Sequence, residues 1–131
     1  MSKLEAKVSN FYNALQRLKE GVSELEKNNV SDVVRDGVIQ RFEFTYELAW
    51  KTTKEYLEDL GITDRNSPKV VIKEAFVQKL ILNEEIWLLM IKDRNMTSHV
   101  YKEEMAQEIA DRIKKFYVKE LEDLYRKING E

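Results

Sequence analysis

Apolar residues open the chain at alternating steps of four and three: Leu4, Val8, Phe11, Leu15, Leu18, Val22 and Leu25. That heptad-like spacing gathers them on one seam of a long helix, with Lys, Glu and Gln on the outer face. Lys27-Asn28-Asn29 ends it, and Ser31 followed by Asp32 opens a second helix. A serine oxygen accepts from the first unpaired amides, and an acid complements the positive helix end. The second helix runs from about Ser31 to Leu60, with Gly61 as its left-handed stop. It carries two apolar stripes. Val34, Val38, Phe42, Thr45, Ala49, Thr53 and Tyr56 trace one; Ile39, Tyr46, Trp50 and Leu57 trace the other. A helix apolar on two sides is wedged between neighbours or feeds an oligomer interface. Asp36, Gln40, Glu43, Glu47 and Lys51 form a polar row between the stripes, most simply a solvated face.

After a turn-rich stretch, Ser67-Pro68 signals a third, shorter helix. Val71, Ile72, Ala75, Phe76 and Leu80 carry it to near Leu82. Asn83 caps a fourth, with Glu84 and Glu85 in its first turn. The body of that helix, IWLLMI, is apolar all round and is therefore expected at the centre of the fold. A last helix from about Glu103 to Ile128 carries Ile109, Ile113, Tyr117, Leu121, Leu124 and Ile128 in register. Strand alternation, internal repeats and low-complexity linkers are missing. The pattern predicts an all-α fold: an antiparallel up-and-down four-helix-type bundle with one additional short helix.

Composition narrows the chemistry. The 131 residues suit a single domain over 1–131, with 43% hydrophobic and 35% charged residues. The absence of cysteine excludes disulfides, thiol catalysis and cysteine-bound zinc. A net charge of −2 argues against a broad basic surface, while a local patch stays open. With neither a membrane-length apolar run nor a signal-peptide core, a cytoplasmic location without membrane contact is expected.

The densest polar chemistry follows IWLLMI, in DRNMTSHVY (Asp93–Tyr101), which holds the single histidine, His99. On a regular helix Arg94 and Tyr101 share a face, and so do Asn95 and His99. Arg94 and His99 are five residues apart, roughly 140° around the axis. One helix therefore does not aim both at one small atom, and a site built from them is expected at a two-fold dimer seam. Histidine exchanges protons near neutral pH, and the arginine fork stabilises phosphoryl oxygens. Together they suit RNA cleavage without metal, Arg94 and His99 being the catalytic candidates. A histidine bonded within the fold is the simpler reading of this spacing alone. His99 and Glu103 have helical metal-ligand spacing, but no second histidine or cysteine completes a set, so neither metal nor other cofactor is expected. No nucleophile elbow, glycine-rich phosphate loop or nucleotidyltransferase aspartate pair is present.

The blocks RDGVIQRFEFTYELAWKTTKEYLEDLG, SPKVVIKEAF and WLLMIKDRNMTSHVY, in that order, resemble the HEPN superfamily, in its nucleotidyltransferase substrate-binding branch. The resemblance covers about Arg35 to Phe116. It implies a dimerising helical bundle and a separately encoded minimal nucleotidyltransferase as partner. The family's Arg-x4-His-x-Tyr falls on Arg94, His99 and Tyr101, with Asn95 as the polar residue after the arginine. In toxin members of the superfamily this motif forms a metal-independent ribonuclease site between two protomers, and the nucleotidyltransferase silences it by adenylylating the tyrosine. The resemblance also implies a second reading, a non-catalytic subunit that presents an RNA or nucleotide ligand. On that reading Asp36, Arg41, Glu43 and Glu47 of the second helix line a groove, and Arg94 and His99 only bind; Asn95 and Ser98 are further binding candidates.

Overall fold

The computed structural model describes residues 1–99 and 102–131. Among them the chain forms helices α1 (Lys3–Lys27), α2 (Asp32–Asp59), α3 (Pro68–Val77), α4 (Glu84–Thr97), α5 (Glu103–Arg112) and α6 (Val118–Ile128), with one π turn (Ile113–Tyr117) joining the last two. No strand occurs among the described residues. No helix there is long and apolar enough to cross a membrane.

The helix ends follow the polar residues that mark them. Ser2 and Glu5 form a reciprocal capping box on α1. Ser31 Oγ accepts from the Val34 amide at 3.2 Å, and Asn83 Oδ1 accepts from the Ile86 amide at 3.2 Å. Gly61 closes α2 at φ +88°, where a residue with a Cβ would be strained.

Helices α1 and α2 form an antiparallel hairpin. Gly21 lets them close: a Cβ there would sit 3.3 Å from Val38 Cγ2. Across the same seam the Thr45 hydroxyl reaches the Ala14 carbonyl at 3.2 Å and Arg41 Nη1 donates to the Arg17 carbonyl at 2.7 Å. Both apolar stripes of α2 are covered by its own chain, since Val38, Phe42 and Ala49 on one, and Ile39, Tyr46 and Leu57 on the other, are buried. The helix is wedged between neighbours, so its second stripe is not a free oligomer face. Phe42 stacks on Tyr117 with ring centroids 5.4 Å apart, joining α2 to the C-terminal helices.

Three expectations are corrected. The third helix stops at Val77 rather than near Leu82, because Lys79 adopts φ +63° and the Leu80 amide bonds back to the Ala75 carbonyl. A left-handed lysine does there what glycine usually does, and residue type does not announce it. IWLLMI is not central: only Trp87 and Met90 are fully enclosed, while Ile86, Leu88, Leu89 and Ile91 are half-buried. Helix α4 lies on the flank of the bundle. Finally, the last helix is not continuous α. Ile109, Ile113, Tyr117 and Leu121 are three consecutive steps of four, which overrun a regular helix by about 120°. The π turn takes up that excess and keeps Ile113, Tyr117 and Leu121 facing the core.

Candidate functional site at the end of helix four

Asp93 and Arg94 are neighbours in sequence with opposite surroundings. Asp93 falls three residues beyond Met90, on the buried side of α4, and is only 4% exposed. Its carboxylate accepts from Arg112 Nε at 2.7 Å and Nη2 at 2.9 Å, and from the Tyr117 hydroxyl. Burial, then the bond to Asp93, holds the Tyr117 phenol well above its ordinary range, while Asp93 keeps the Arg112 guanidinium firmly protonated. This clamp fixes the last turn of α4 to the π turn. The signal for this role in the sequence is the step of three from Met90, which places Asp93 on the buried stripe.

Arg94 turns instead toward α2. Its Nη1 lies 3.3 Å from Glu43 Oε2 and its Nε 3.9 Å from Glu47 Oε1, while Glu47 Oε2 accepts from Trp50 Nε1 at 3.1 Å. At 3.9 Å the second contact is an ion pair without a hydrogen bond, so Arg94 Nε is buried with no bonded partner among the described residues. Tyr46 lies behind this group, its phenol pushed up first by burial and then by Glu47, with Arg94 opposing. Part of the polar row on α2 thus faces the motif arginine rather than open water.

His99 is exposed, as are Asn95 and Ser98. The His99 side chain has no hydrogen-bond partner among the described residues, and its amide is engaged by the Met96 carbonyl. Asn95 and His99 line one shallow groove of about 460 Å³ with Lys69, Leu88, Ile91, Lys92 and Met96. Arg94 does not line it. The divergence expected from helical spacing is realised, with Arg94 against α2 and His99 in the groove. Tyr101 lies outside the described residues.

The remaining binding candidates do not converge. Ser98 Oγ donates to the Asn95 carbonyl at 2.7 Å and Thr97 Oγ1 to the Arg94 carbonyl at 2.8 Å, so both hydroxyls close the helix end. Asp36 is taken up by Arg35, with Nη2 at 3.2 Å, two turns along α2 from Glu43. Arg41 points to α1. Of the four α2 residues, Glu43 and Glu47 meet the motif; Asp36 and Arg41 do not line a common groove with them.

Residues 6–130 match the family described as nucleotidyltransferase substrate binding protein like. A probable ribonuclease HepT of Haemophilus influenzae is 33% identical over 99 residues, covering 72% of this chain and 68% of that protein. The structure of HI0074 from the same species, reported as the fold of a substrate-binding domain of a nucleotidyltransferase, is 27% identical. It superposes with a TM-score of 0.82 over 93% of this chain and 98% of its own. A toxin–antitoxin MntA–HepT mutant shares the fold alone, at 15% identity and a TM-score of 0.78, covering 98% of both chains. With its helical bundle, its motif at the end of α4 and this near-complete match, the chain belongs to the nucleotidyltransferase substrate-binding-protein-like family of the HEPN superfamily.

Proposed function

We propose that the protein is a metal-independent endoribonuclease toxin, active as a symmetric dimer and paired with a separately encoded minimal nucleotidyltransferase. The observation that carries this reading is the incompleteness of the motif in one protomer: His99 is exposed in its groove while Arg94 is turned to α2. A two-fold axis through this end of the bundle supplies the missing groups from the partner. In the reaction an imidazole of His99 removes the proton from a ribose 2′-hydroxyl, and the 2′-oxygen attacks phosphorus. The P–O5′ bond breaks, and the departing oxygen takes a proton from the second imidazole. Arg94 offsets the extra charge on the phosphoryl oxygens. Membership of the family and the likeness to a probable ribonuclease HepT support this reading.

One observation favours the alternative, a non-catalytic binding subunit. Glu43 and Glu47 already neutralise Arg94, so a phosphate reaching it has to displace a carboxylate. Incubation of the purified protein with an RNA panel in EDTA decides between the two. Cleavage leaving 2′,3′-cyclic phosphate ends is expected, lowered by about 10²–10⁴ in His99→Ala. That variant keeps wild-type stability within about 0.5 kcal/mol because the side chain is exposed. Intact RNA across the panel assigns the protein to binding alone. Tyr101 is the proposed control point: with the partner enzyme, ATP and Mg²⁺, intact mass rises by AMP units in wild type and not in Tyr101→Phe, and cleavage falls in parallel.

A further inference from the structure

The geometry points to the groove beside His99 as a track for single-stranded RNA, with Lys69 of α3 and Lys92 of α4 holding its phosphates; this rests on the ribonuclease reading above. Lys92, Asn95 and His99 follow each other at steps of three and four, so they form one stripe on α4 and its continuation. Lys69 faces them from the first turn of α3. Among the described residues no carboxylate lines this groove, although the whole chain is net negative. The groove between the start of α4 and α6 carries Glu120, Asp123 and Glu131, and that between α2 and α5 carries Asp32, Glu103 and Glu104. Neither Lys69 nor Lys92 forms an ion pair among the described residues, unlike Arg94 and Arg112. Two uncommitted ammonium groups beside an exposed imidazole suit a phosphodiester chain passing over His99.

The remaining wall is apolar, made by Leu88, Ile91 and Met96, all half-buried. Such a wall gains only from base faces that are unstacked. Duplex RNA hides those faces and presents phosphates and 2′-hydroxyls, whereas a single strand can lay its bases on the wall and its phosphates on the lysines. The charge pattern thus selects the anion, and the apolar wall selects the strandedness.

The test uses full-length protein and a short fluorescent 2′-O-methyl oligoribonucleotide, which has no free 2′-hydroxyl to attack with. Anisotropy titrations over a salt series give the slope of log K against log salt. The paired variant Lys69→Ala, Lys92→Ala is expected to reduce that slope by about 1.4, at roughly 0.7 per phosphate on a single strand. The pair Lys119→Ala, Lys127→Ala, with equal charge loss in the other groove, is expected to leave it unchanged. A duplex of the same sequence is expected to bind more weakly than the strand. Equal losses from both pairs, an unchanged slope, or no binding by wild type overturns the track. So does a fall in molecular mass caused by the Lys69, Lys92 pair, which would seat a second copy there. Cleavage without any lysine effect removes the track and leaves the ribonuclease reading standing. Lysine-dependent binding without cleavage keeps the track and removes the ribonuclease.

Discussion

The tyrosines flanking the motif are held neutral by their surroundings. Tyr46 is buried beside Glu47, and Tyr117 is buried against the Asp93 carboxylate, so both phenols lose protons less readily folded than unfolded. Above about pH 10 the unfolded chain releases these protons while the folded chain keeps them. The unfolded state then binds fewer protons, and stability falls as pH rises. Each tyrosine contributes up to about 1.4 kcal/mol per pH unit in that window, and nothing below it. Urea midpoints at pH 9, 10 and 11 are expected to drop progressively, and Tyr46→Phe is expected to make the decline shallower. A flat wild-type profile between pH 10 and 11 would show that the burial does not hold the phenols protonated.

At the scale of elements, the motif helix is held from inside by one side chain. Asp93 ties α4 to Arg112 at the end of α5 and to Tyr117 in the π turn. Asp93→Ala leaves a phenol and a guanidinium facing an empty acceptor. Removing one partner of a buried pair costs about 3–5 kcal/mol, and the partial exposure of Arg112 argues for the lower figure. At about 3 kcal/mol the thermal midpoint falls by roughly 10 °C. Asp93→Asn keeps an acceptor oxygen and is expected to lose less. Equal, small losses in both variants would mean that packing by Trp87 and Met90 alone positions the helix.

At the scale of the molecule, the proposed dimer rests on the divided motif, because both stripes of α2 are already covered within one chain. What α2 still offers is Phe44, 63% exposed and adjacent to Glu43, with Val33 exposed further along the helix. Light scattering at micromolar concentration is expected to give twice the mass of one chain. Phe44→Glu is expected to halve that mass and to remove cleavage, with the helical circular dichroism unchanged. A wild-type monomer that still cleaves RNA would contradict the proposed shared site.

Sequence alone determined what depends on local periodicity: the all-α class, the long helices, their capping serines and asparagine, Gly61 as a stop, and the divergence of Arg94 from His99. These follow from 3.6 residues per turn and from short-range hydrogen bonds, which need no distant partner. The run of fours from Ile109 to Leu121 is likewise a local signal, and it encodes the π turn. Tertiary structure alone decided which charges meet. Glu43 and Asp36 share a stripe of α2, yet only Glu43 finds Arg94, because pairing depends on which helix packs opposite. Likewise IWLLMI reads as a core segment, and only packing shows that two of its residues, Leu88 and Ile91, line a groove beside Lys92 and His99, where Lys69 of α3 joins them. Apolar content measures how much surface a helix would gain by burying; which face the remaining helices cover is fixed by their number and connections, beyond the reach of any short window of sequence.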